Sequence, residues 1–428
     1  MDTLPLELKQ RICSYLTPKD LKSLRLTSKI YSVAACRYLL RRVFLINHPD
    51  SCQEALDIAN HPELCHSVTT LIVDTSCLRS YPKYEQWARV FVEVESNPAD
   101  PTNSERAEGA TVKLSARSER VLRRQRNSER WTSYEERAHT QRTDASIKLM
   151  LTAIALLFQK CSKLSNLVLD SHRGRIDDCA LVKKRQQFLS NIPGSTILGE
   201  RFGSAGIWIP MRFTLGDIFK PVHDANRTLN SLVLLDPGLE TSQMWKPPAL
   251  SILQSLKHFR QSDCSPDILT FVVASAPNLE SFGTIERRVP YTSSLSALMN
   301  IPPLSKLRAC SLSCVRGRDD LAGFLLRHAS TLQQLRVCNG RSYDPGYWNP
   351  FSTQIKGKLR NLRRVELVNI EIGPATYNAE THLWSYNLMA GKDILQDHEH
   401  ELETGPAQVY DGLWEDYEQL FFPEEIKT

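Results

Sequence analysis

The sequence predicts an α/β protein with a small three-helix module at its N-terminus and a longer, irregular solenoid of strand–helix repeats after it. Three observations support this prediction. The first 40 or so residues hold three short amphipathic patterns at helical spacing. From Leu229 onward a leucine pattern then recurs at intervals of 24 to 30 residues. The chain has 428 residues and an apolar content of 41%, which allows more than one structural unit with a sizeable core.

The first predicted helix is defined by apolar residues four positions apart. Leu4, Leu8, Ile12 and Leu16 share one face, and Pro5 suits the first turn because its missing N–H would be unpaired there in any case. The spacing therefore predicts one amphipathic helix at the start of the chain.

Two further helices follow in the module. Thr17 is the predicted N-cap of the second, with Pro18 at its first position and Leu21 and Leu24 on its apolar side. The third is expected to be capped by Thr27 or Ser28. Its predicted buried face consists of the apolar residues Ile30, Val33, Ala34 and Leu40.

A unit of this size buries too little apolar surface to be stable without further contacts. It is therefore either a helical cap on a larger domain or a docking module whose apolar surface is completed by another protein. Both interpretations fit the pattern.

The order and spacing of these residues resemble the F-box motif. The matching residues are Leu4-Pro5, Glu7-Leu8, Ile12, Leu16, Pro18, Asp20-Leu21, Leu24-Arg25 and Thr27-Ser28-Lys29. The resemblance implies that residues 1–45 dock onto the Skp-family adaptor of cullin–RING (SCF) ubiquitin ligases and so join a cullin scaffold. The adaptor contacts that it implies are Leu4, Pro5, Leu8, Ile12, Leu16, Leu21 and Leu24.

Segments that approximate L-x-x-L-x-L define the repeats. They begin at Leu164, Leu229, Leu253, Leu279, Leu304, Leu332 and Leu362, with helix-like stretches between them. Because no single unit of this kind buries its own apolar face, the pattern predicts a stacked solenoid over residues 46–373. It resembles the irregular leucine-rich repeats that follow many F-boxes, particularly in fungal proteins. The alternative is an ordinary α/β domain with leucine-rich turns.

Other segments depart from this period. The arginine-rich stretch from about 98 to 144 has few apolar residues, so we expect a charged insertion, either disordered or a solvated helix, that is dispensable for folding. Residues 172–226 are expected to form a long repeat with an extended loop. Residues 374–428 are expected to form an acidic capping segment, with Val409, Leu413 and Tyr417 on one side of a helix.

Charge and cysteine content restrict the class of function. The net charge of +5 is too small to indicate a nucleic-acid binder, although the chain from Gly391 onward has two basic and eleven acidic residues. The eleven cysteines show no repeated pair spacing, and Cys310 and Cys314 have no second pair at zinc spacing. We therefore expect reduced thiols and a cytoplasmic or nuclear location. Neither a secretory signal nor a membrane span is expected.

Catalytic motifs are not found. The sequence has no phosphate-binding glycine loop, G-x-S-x-G or H-E-x-x-H, and His398 and His400 are interpreted as solvated side chains. We expect no enzyme activity, cofactor or metal, and a function that consists of holding two proteins together. The alternatives are a leucine-rich-repeat scaffold without a ligase role and an enzyme that has no sequence signature.

Side-chain alternation predicts where a substrate binds. The residue between the last two leucines of each repeat should face away from the core. These positions are Val168, Val233, Lys257, Gly283, Arg308, Arg336 and Glu366. Because Arg pairs well with carboxylates and phosphates, we expect a substrate-binding face at Lys257, Arg308, Arg336 and Glu366 for an acidic or phosphorylated protein. Alternatively, these positions are polar simply because they are exposed.

Overall fold

The computed structural model describes most of the predicted module and repeats. The described residues are 4–16, 18–88, 116–170, 208–210, 214–235, 247–262, 266–285, 299, 302–313, 320–338, 354–355, 358–368, 371–378 and 383–388. The helices are α1 (Leu6–Ser14), α2 (Pro18–Arg25), α3 (Lys29–Leu39), α4 (Pro49–Asn60), α5 (Ala116–Thr140), α6 (Asp144–Lys160), α7 (Leu215–Asp224), α8 (Pro247–Leu253), α9 (Pro266–Ser275) and α10 (Asp320–Arg327), with a 3-10 turn at Leu64–His66. The strands are β1 (Arg42–Leu45), β2 (Thr70–Asp74), β3 (Ser76–Leu78), β4 (Asn166–Asp170), β5 (Trp208–Pro210), β6 (Ser231–Leu235), β7 (His258–Ser262), β8 (Ser281–Ile285), β9 (Ala309–Ser313), β10 (Gln334–Cys338), β11 (Arg364–Val368), β12 (Glu371–Asn378) and β13 (Leu383–Leu388).

The three helices of the module occur where the sequence predicts them. α2 begins at Pro18. The hydroxyl of Ser28 accepts a hydrogen bond from the Tyr31 amide at 3.3 Å, which confirms Ser28 as the N-cap of α3. Thr17, the predicted cap of α2, lies outside the described residues. Only Leu40 and Arg41 separate α3 from β1, so the module leads directly into the sheet.

A nine-stranded sheet organises the rest of the described chain. Its order is β1-β2-β4-β6-β7-β8-β9-β10-β11, and every neighbouring pair is parallel. The strands therefore follow one another in chain order, apart from β3 and β5, which form a separate antiparallel pair. β12 and β13 form an antiparallel hairpin after the last sheet strand. Helices combined with a parallel sheet agree with the predicted α/β class.

A backbone pattern repeats where each sheet strand begins. The amides of Lys257 and His258 both donate to the Asn230 carbonyl, at 2.9 and 3.0 Å, and those of Glu280 and Ser281 donate to the Lys257 carbonyl, at 2.7 and 2.9 Å. We call this series the strand-start ladder. Its members, in strand order, are Arg41, Thr69, Ser165, Asn230, Lys257, Glu280, Arg308, Gln333 and Arg363. The ladder fixes the register of each strand against its predecessor.

One face of the sheet packs against the helices, and we call it the core face. Its side chains form one buried apolar cluster with α4, α6, α7, α9 and α10, including Leu71, Leu167, Leu232, Phe259 and Phe282. Along the helical layer, α4 packs against α6, α6 against α7, and α7 against α8. The alternate strand positions form the second face of the sheet.

The predicted frame is wrong in two repeats. Arg260, not Lys257, is the register partner of Val233, and Ser311, not Arg308, is the partner of Gly283. In both repeats the strand begins three residues later than predicted, because Phe259 and Cys310 occupy core-face positions that the pattern assigned to leucine. The second-face column is Ile72, Val168, Val233, Arg260, Gly283, Ser311, Arg336 and Glu366.

The expectation of a solvated insertion is wrong for the second half of α5, residues 127–140. Helix α5 buries Tyr134 and Ala138 completely, and its last turns hydrogen-bond to the segment after β3. The Tyr134 hydroxyl donates to the Arg79 carbonyl at 2.8 Å, and the Trp131 indole donates to the Tyr81 carbonyl at 3.0 Å. The packed face of α5 holds few residues, which is why its high average polarity concealed it. Residues 98–115 lie outside the described part.

The two other irregular segments are described in part. Within 172–226, α7 starts with a capping box in which Thr214 and Asp217 satisfy each other's backbone amides. Within 374–428, the hairpin of β12 and β13 ends at Leu388, and the predicted helix that contains Val409 lies outside the described residues.

The structure describes part of the cysteines and several apolar helices. The seven described cysteines that are free are all buried, and burial raises the pKa of Cys161 to about 12. Cys314 lies outside the described residues. Among the described helices, none combines the length and apolarity that a bilayer crossing needs.

We predict that Tyr134→Ala lowers the free energy of unfolding by about 3–5 kcal/mol, because it removes a buried aromatic ring and the bond to Arg79. Urea unfolding measures this change. Ser133→Ala, at an exposed position on the same helix, is the matched control and should change stability little. A Tyr134→Ala variant as stable as the parent would show that α5 does not contribute to the core.

A buried histidine links the units of β9 and β10. His328 is 3% exposed; its Nε2 accepts from the Leu304 amide at 3.1 Å, and its Nδ1 lies 2.8 Å from the Phe324 carbonyl. Both contacts are satisfied by the neutral ring with the proton on Nδ1. Burial, more than the other influences, lowers the pKa of His328 below its ordinary value of 6.5.

We predict that stability falls as the pH drops below about 6.5, because the unfolded chain then gains a proton at His328 that the folded chain does not. The contribution of the neutral ring is complete above that pH and is lost on the way down to the lowered pKa. Unfolding curves between pH 7.5 and 5 measure the slope, and His328→Asn should reduce it. An identical slope in both proteins would contradict this role.

Candidate functional site

Exposed large apolar side chains are concentrated in the N-terminal module. The described chain contains eight of them: Leu6, Leu8, Ile12, Tyr15, Leu26, Ile30, Val33 and Leu250. Seven of the eight lie in the module. Large apolar side chains exposed together in one small unit are a mark of a protein-interaction site. We call these seven residues the exposed apolar set.

Three of the exposed apolar residues share one side of α1 and its C-cap. Leu8, Ile12 and Tyr15 are 47%, 41% and 67% exposed and follow one another at spacings of four and three residues. Cys13 and Lys9, which lie roughly 90–130° around the helix axis from the mean direction of these three residues, are buried. α1 is therefore amphipathic, but its larger apolar side chains face solvent.

The predicted buried face of α3 is wrong at two positions. Ile30 and Val33 are 46% and 37% exposed, whereas Ala34 is fully buried as predicted. Small side chains let the three helices approach closely, so α3 buries its alanines and leaves its branched residues outside. In the preceding turn, Leu26 is 89% exposed, the largest value of the exposed apolar set.

The module's own core is small. Cys13, Leu21, Ala34 and Ala35 form it, with Leu16, Leu24, Tyr38 and Leu39 packed around them in partly buried positions. Leu21 is 1% exposed, so the prediction that it contacts the adaptor is wrong: its side chain stabilises the module from inside.

The predicted adaptor contacts thus divide into three groups. Leu8, Ile12 and Pro5 are exposed, Leu4, Leu16 and Leu24 are partly buried, and Leu21 is buried. Five residues of the exposed apolar set were not among the predicted contacts: Leu6, Tyr15, Leu26, Ile30 and Val33. Leu26 lies after the last turn of α2, where helical spacing gives no signal.

A buried lysine helps to fix the angle between α1 and α3. Lys9 is 3% exposed, and its Nζ lies 5.7 Å from the centre of the Tyr31 ring. An ammonium group at this distance from an aromatic face is attracted by the ring. Arg41 lies over the Tyr38 ring at 5.6 Å in the same way, at the junction with the sheet.

The module is joined to the first edge of the sheet by backbone contacts. The amides of Thr69 and Thr70 donate to the Arg41 carbonyl at 2.9 and 3.0 Å, and the Ser67 hydroxyl donates to the Leu40 carbonyl at 3.2 Å. Burial, partly offset by Arg25, raises the pKa of the nearby Cys36 thiol. These contacts hold α3 against the start of β1 and β2.

The second face of the sheet is closed over much of its length. Val168 and Val233 are 0% and 1% exposed, and Arg260 is 6% exposed. Arg336 is partly buried, with Glu366 as its register partner on β11. A substrate-binding face along the whole column is therefore wrong for β4 to β7, where these side chains are buried.

Lys257 and Arg308 lie elsewhere than predicted. Both belong to the strand-start ladder, at the edge of the sheet where the strands begin, and both are exposed there. The Lys257 Nζ is 3.6 Å from Glu280 of the next strand. The two residues are accessible at this edge.

The comparisons with known proteins agree with the site in the module. A family profile described as F-box-like matches residues 1–46. The match ends directly after β1, so it covers the three helices and the first strand of the sheet. No curated protein matches the chain. The N-terminal module is therefore an F-box-like domain.

No group of three or more His, Cys, Asp or Glu side chains is arranged to hold a metal ion in the described part of the chain. His398 and His400 lie outside it.

We predict that the exposed and the buried leucines of the module respond differently to truncation. Leu8→Ala with Ile12→Ala should change the free energy of unfolding by less than about 1 kcal/mol, because both side chains face solvent. Leu21→Ala should cost about 2–5 kcal/mol. Hydrogen exchange of amides in α2 and α3 measures this local stability. Equal losses in the two variants would contradict the assignment of inside and outside.

Proposed function

We propose that the chain is the substrate-recognition subunit of an SCF-type ubiquitin ligase. Its F-box-like domain docks onto the Skp-family adaptor, which joins it to the cullin scaffold. Its repeats form an irregular leucine-rich-repeat solenoid that holds a protein substrate.

The observation that carries the proposal is the exposed apolar set. Seven large apolar side chains face solvent within a domain that the F-box-like profile matches. Because these side chains face solvent, they are available to bind a partner. A Skp-family adaptor is the partner that F-box domains typically bind.

The repeats support the second half of the proposal. Parallel strands in chain order, each fixed by the strand-start ladder, make an extended surface of stacked units. Repeat surfaces of this kind suit the binding of another polypeptide.

The direct junction of module and sheet supports a positioning mechanism. Leu40 and Arg41 alone separate α3 from β1, and Arg41 accepts two hydrogen bonds from β2 and the residue before it. A substrate on the repeats would be held at a fixed distance from the adaptor. Such fixation raises the effective concentration of the substrate at the ligase without chemistry by this chain. We propose that the chain itself is not an enzyme and that it acts in the cytoplasm or nucleus.

Co-purification with a Skp-family adaptor tests the proposal. We expect the full chain to form a stable complex, and Leu8→Ala with Ile12→Ala to weaken it at least about tenfold, because two apolar contacts are lost at a desolvated interface. Binding is measured by calorimetry with purified proteins.

The matched control is Leu250→Ala. Leu250 is 40% exposed, close to the 41% of Ile12, but lies on α8, outside the module. It should leave adaptor binding unchanged. Full-strength adaptor binding by the double variant would reject the docking surface. A folded chain with no affinity for any Skp-family adaptor would favour the leucine-rich-repeat scaffold without a ligase role.

A further inference from the structure

Basic side chains cluster at one end of the sheet, where β9 and β11 begin. Lys306 and Arg308 belong to the turn before β9, and Lys358, Arg360 and Arg363 to the turn before β11. We call these five residues the basic edge. All five are exposed.

Little within the described part of the chain neutralises these charges. In the ranges that the structure describes, no ion pair joins Arg308, Arg360 or Arg363 to an acidic side chain. Glu280, the acidic residue next to Arg308 in the strand-start ladder, pairs with Lys257 at 3.6 Å. Lys306 donates to the neutral Oδ1 of Asn278 at 2.6 Å. The positive charge of the edge is therefore directed at solvent.

The strand-start ladder sets the spacing of the two arginines. The Gln333 amide donates to the Arg308 carbonyl at 2.7 Å, and the Arg363 amide donates to the Gln333 carbonyl at 2.7 Å. Arg308 and Arg363 therefore lie two strand spacings apart, or about 10 Å, with Gln333 between them. The Asn361 side chain donates to the Ser330 carbonyl at 2.6 Å and fixes the turn that carries Arg360 and Arg363.

Such an array recognises carboxylates. An arginine forms two parallel hydrogen bonds with one carboxylate. The side-chain amide of Gln333 can bind a polypeptide backbone between the two arginines. A separation of about 10 Å corresponds to about three residues of an extended chain in the polyproline II conformation, which has three residues per turn and so returns every third side chain to the same side. Exposed and held on a rigid edge, these side chains are accessible in a way that the buried second face between β4 and β7 is not.

We propose that the basic edge binds an acidic, extended segment of a partner polypeptide. Under the proposed function, on which this identification rests, that partner is the substrate. Carboxylates about three residues apart on the segment pair with Arg308 and Arg363, and the lysines and Arg360 add a less specific attraction.

The test uses the full chain and a fluorescein-labelled peptide of twelve residues in which every third residue is glutamate and the others are serine, with affinity measured by fluorescence anisotropy. Arg308→Glu with Arg363→Glu should weaken binding at least about tenfold and should flatten its dependence on salt. The matched control, Lys83→Glu with Lys148→Glu, makes the same change in net charge at exposed positions away from the edge and should bind like the parent.

Three results would overturn the proposal. The first is unchanged peptide binding in the arginine variant. The second is binding of a twelve-nucleotide single strand of DNA at least ten times tighter than the peptide, which would make nucleic acid the ligand. The third is a gain of more than about tenfold in peptide affinity when residues 391–428 are removed, which would make the chain's own acidic segment the occupant of the edge.

Adaptor binding is measured in the same proteins, which separates this proposal from the proposed function. The arginine variant should bind a Skp-family adaptor like the parent. Peptide binding that depends on the arginines, in a chain that binds no adaptor, would support the basic edge and reject the ligase role. Adaptor binding with no arginine-dependent peptide binding would reject the basic edge alone.

Discussion

The described structure depends on the fact that no strand–helix unit of this chain can bury its apolar residues alone. In six of the described units a strand of five residues follows a helix, and its core-face side chains meet apolar neighbours only when the next unit stacks on it. The strand-start ladder makes that stacking specific, because two amides of each unit share one carbonyl of the unit before. A slip by one residue would exchange the core face with the second face.

The same constraint explains the position of the F-box-like domain. A parallel sheet has an open first edge, and β1 is fixed there by the helices that precede it. The core of the domain contains the small side chains of Cys13, Ala34 and Ala35, whereas most of its larger apolar side chains are exposed. It is therefore anchored to the sheet on one side and incomplete on another, which suits a unit that connects a repeat surface to a second protein.

The sequence was sufficient to predict the helices of the module, the α/β class and most strand positions, because these depend on the spacing of residues along the chain. It failed where the burial of a side chain depends on which residues from other parts of the chain pack against it. Ile30 and Val33 have the spacing of core residues, but Ala34 and Ala35 occupy the core instead. Leu21 fits the motif, but its side chain is buried inside the module. Phe259 and Cys310 replaced leucine and shifted the frame of two repeats. Tyr134 belongs to a helix whose average polarity hid its one packed face.

The most direct test of the central claim, that the exposed apolar set is completed by an adaptor, is backbone hydrogen exchange of the full chain with and without a purified Skp-family adaptor. We expect amides of α1 and α3 to exchange at least about tenfold more slowly in the complex, because binding must be lost before these helices open. Amides of β9 to β11 should exchange at unchanged rates. Unchanged exchange in α1 and α3, or protection confined to the repeats, would contradict the account.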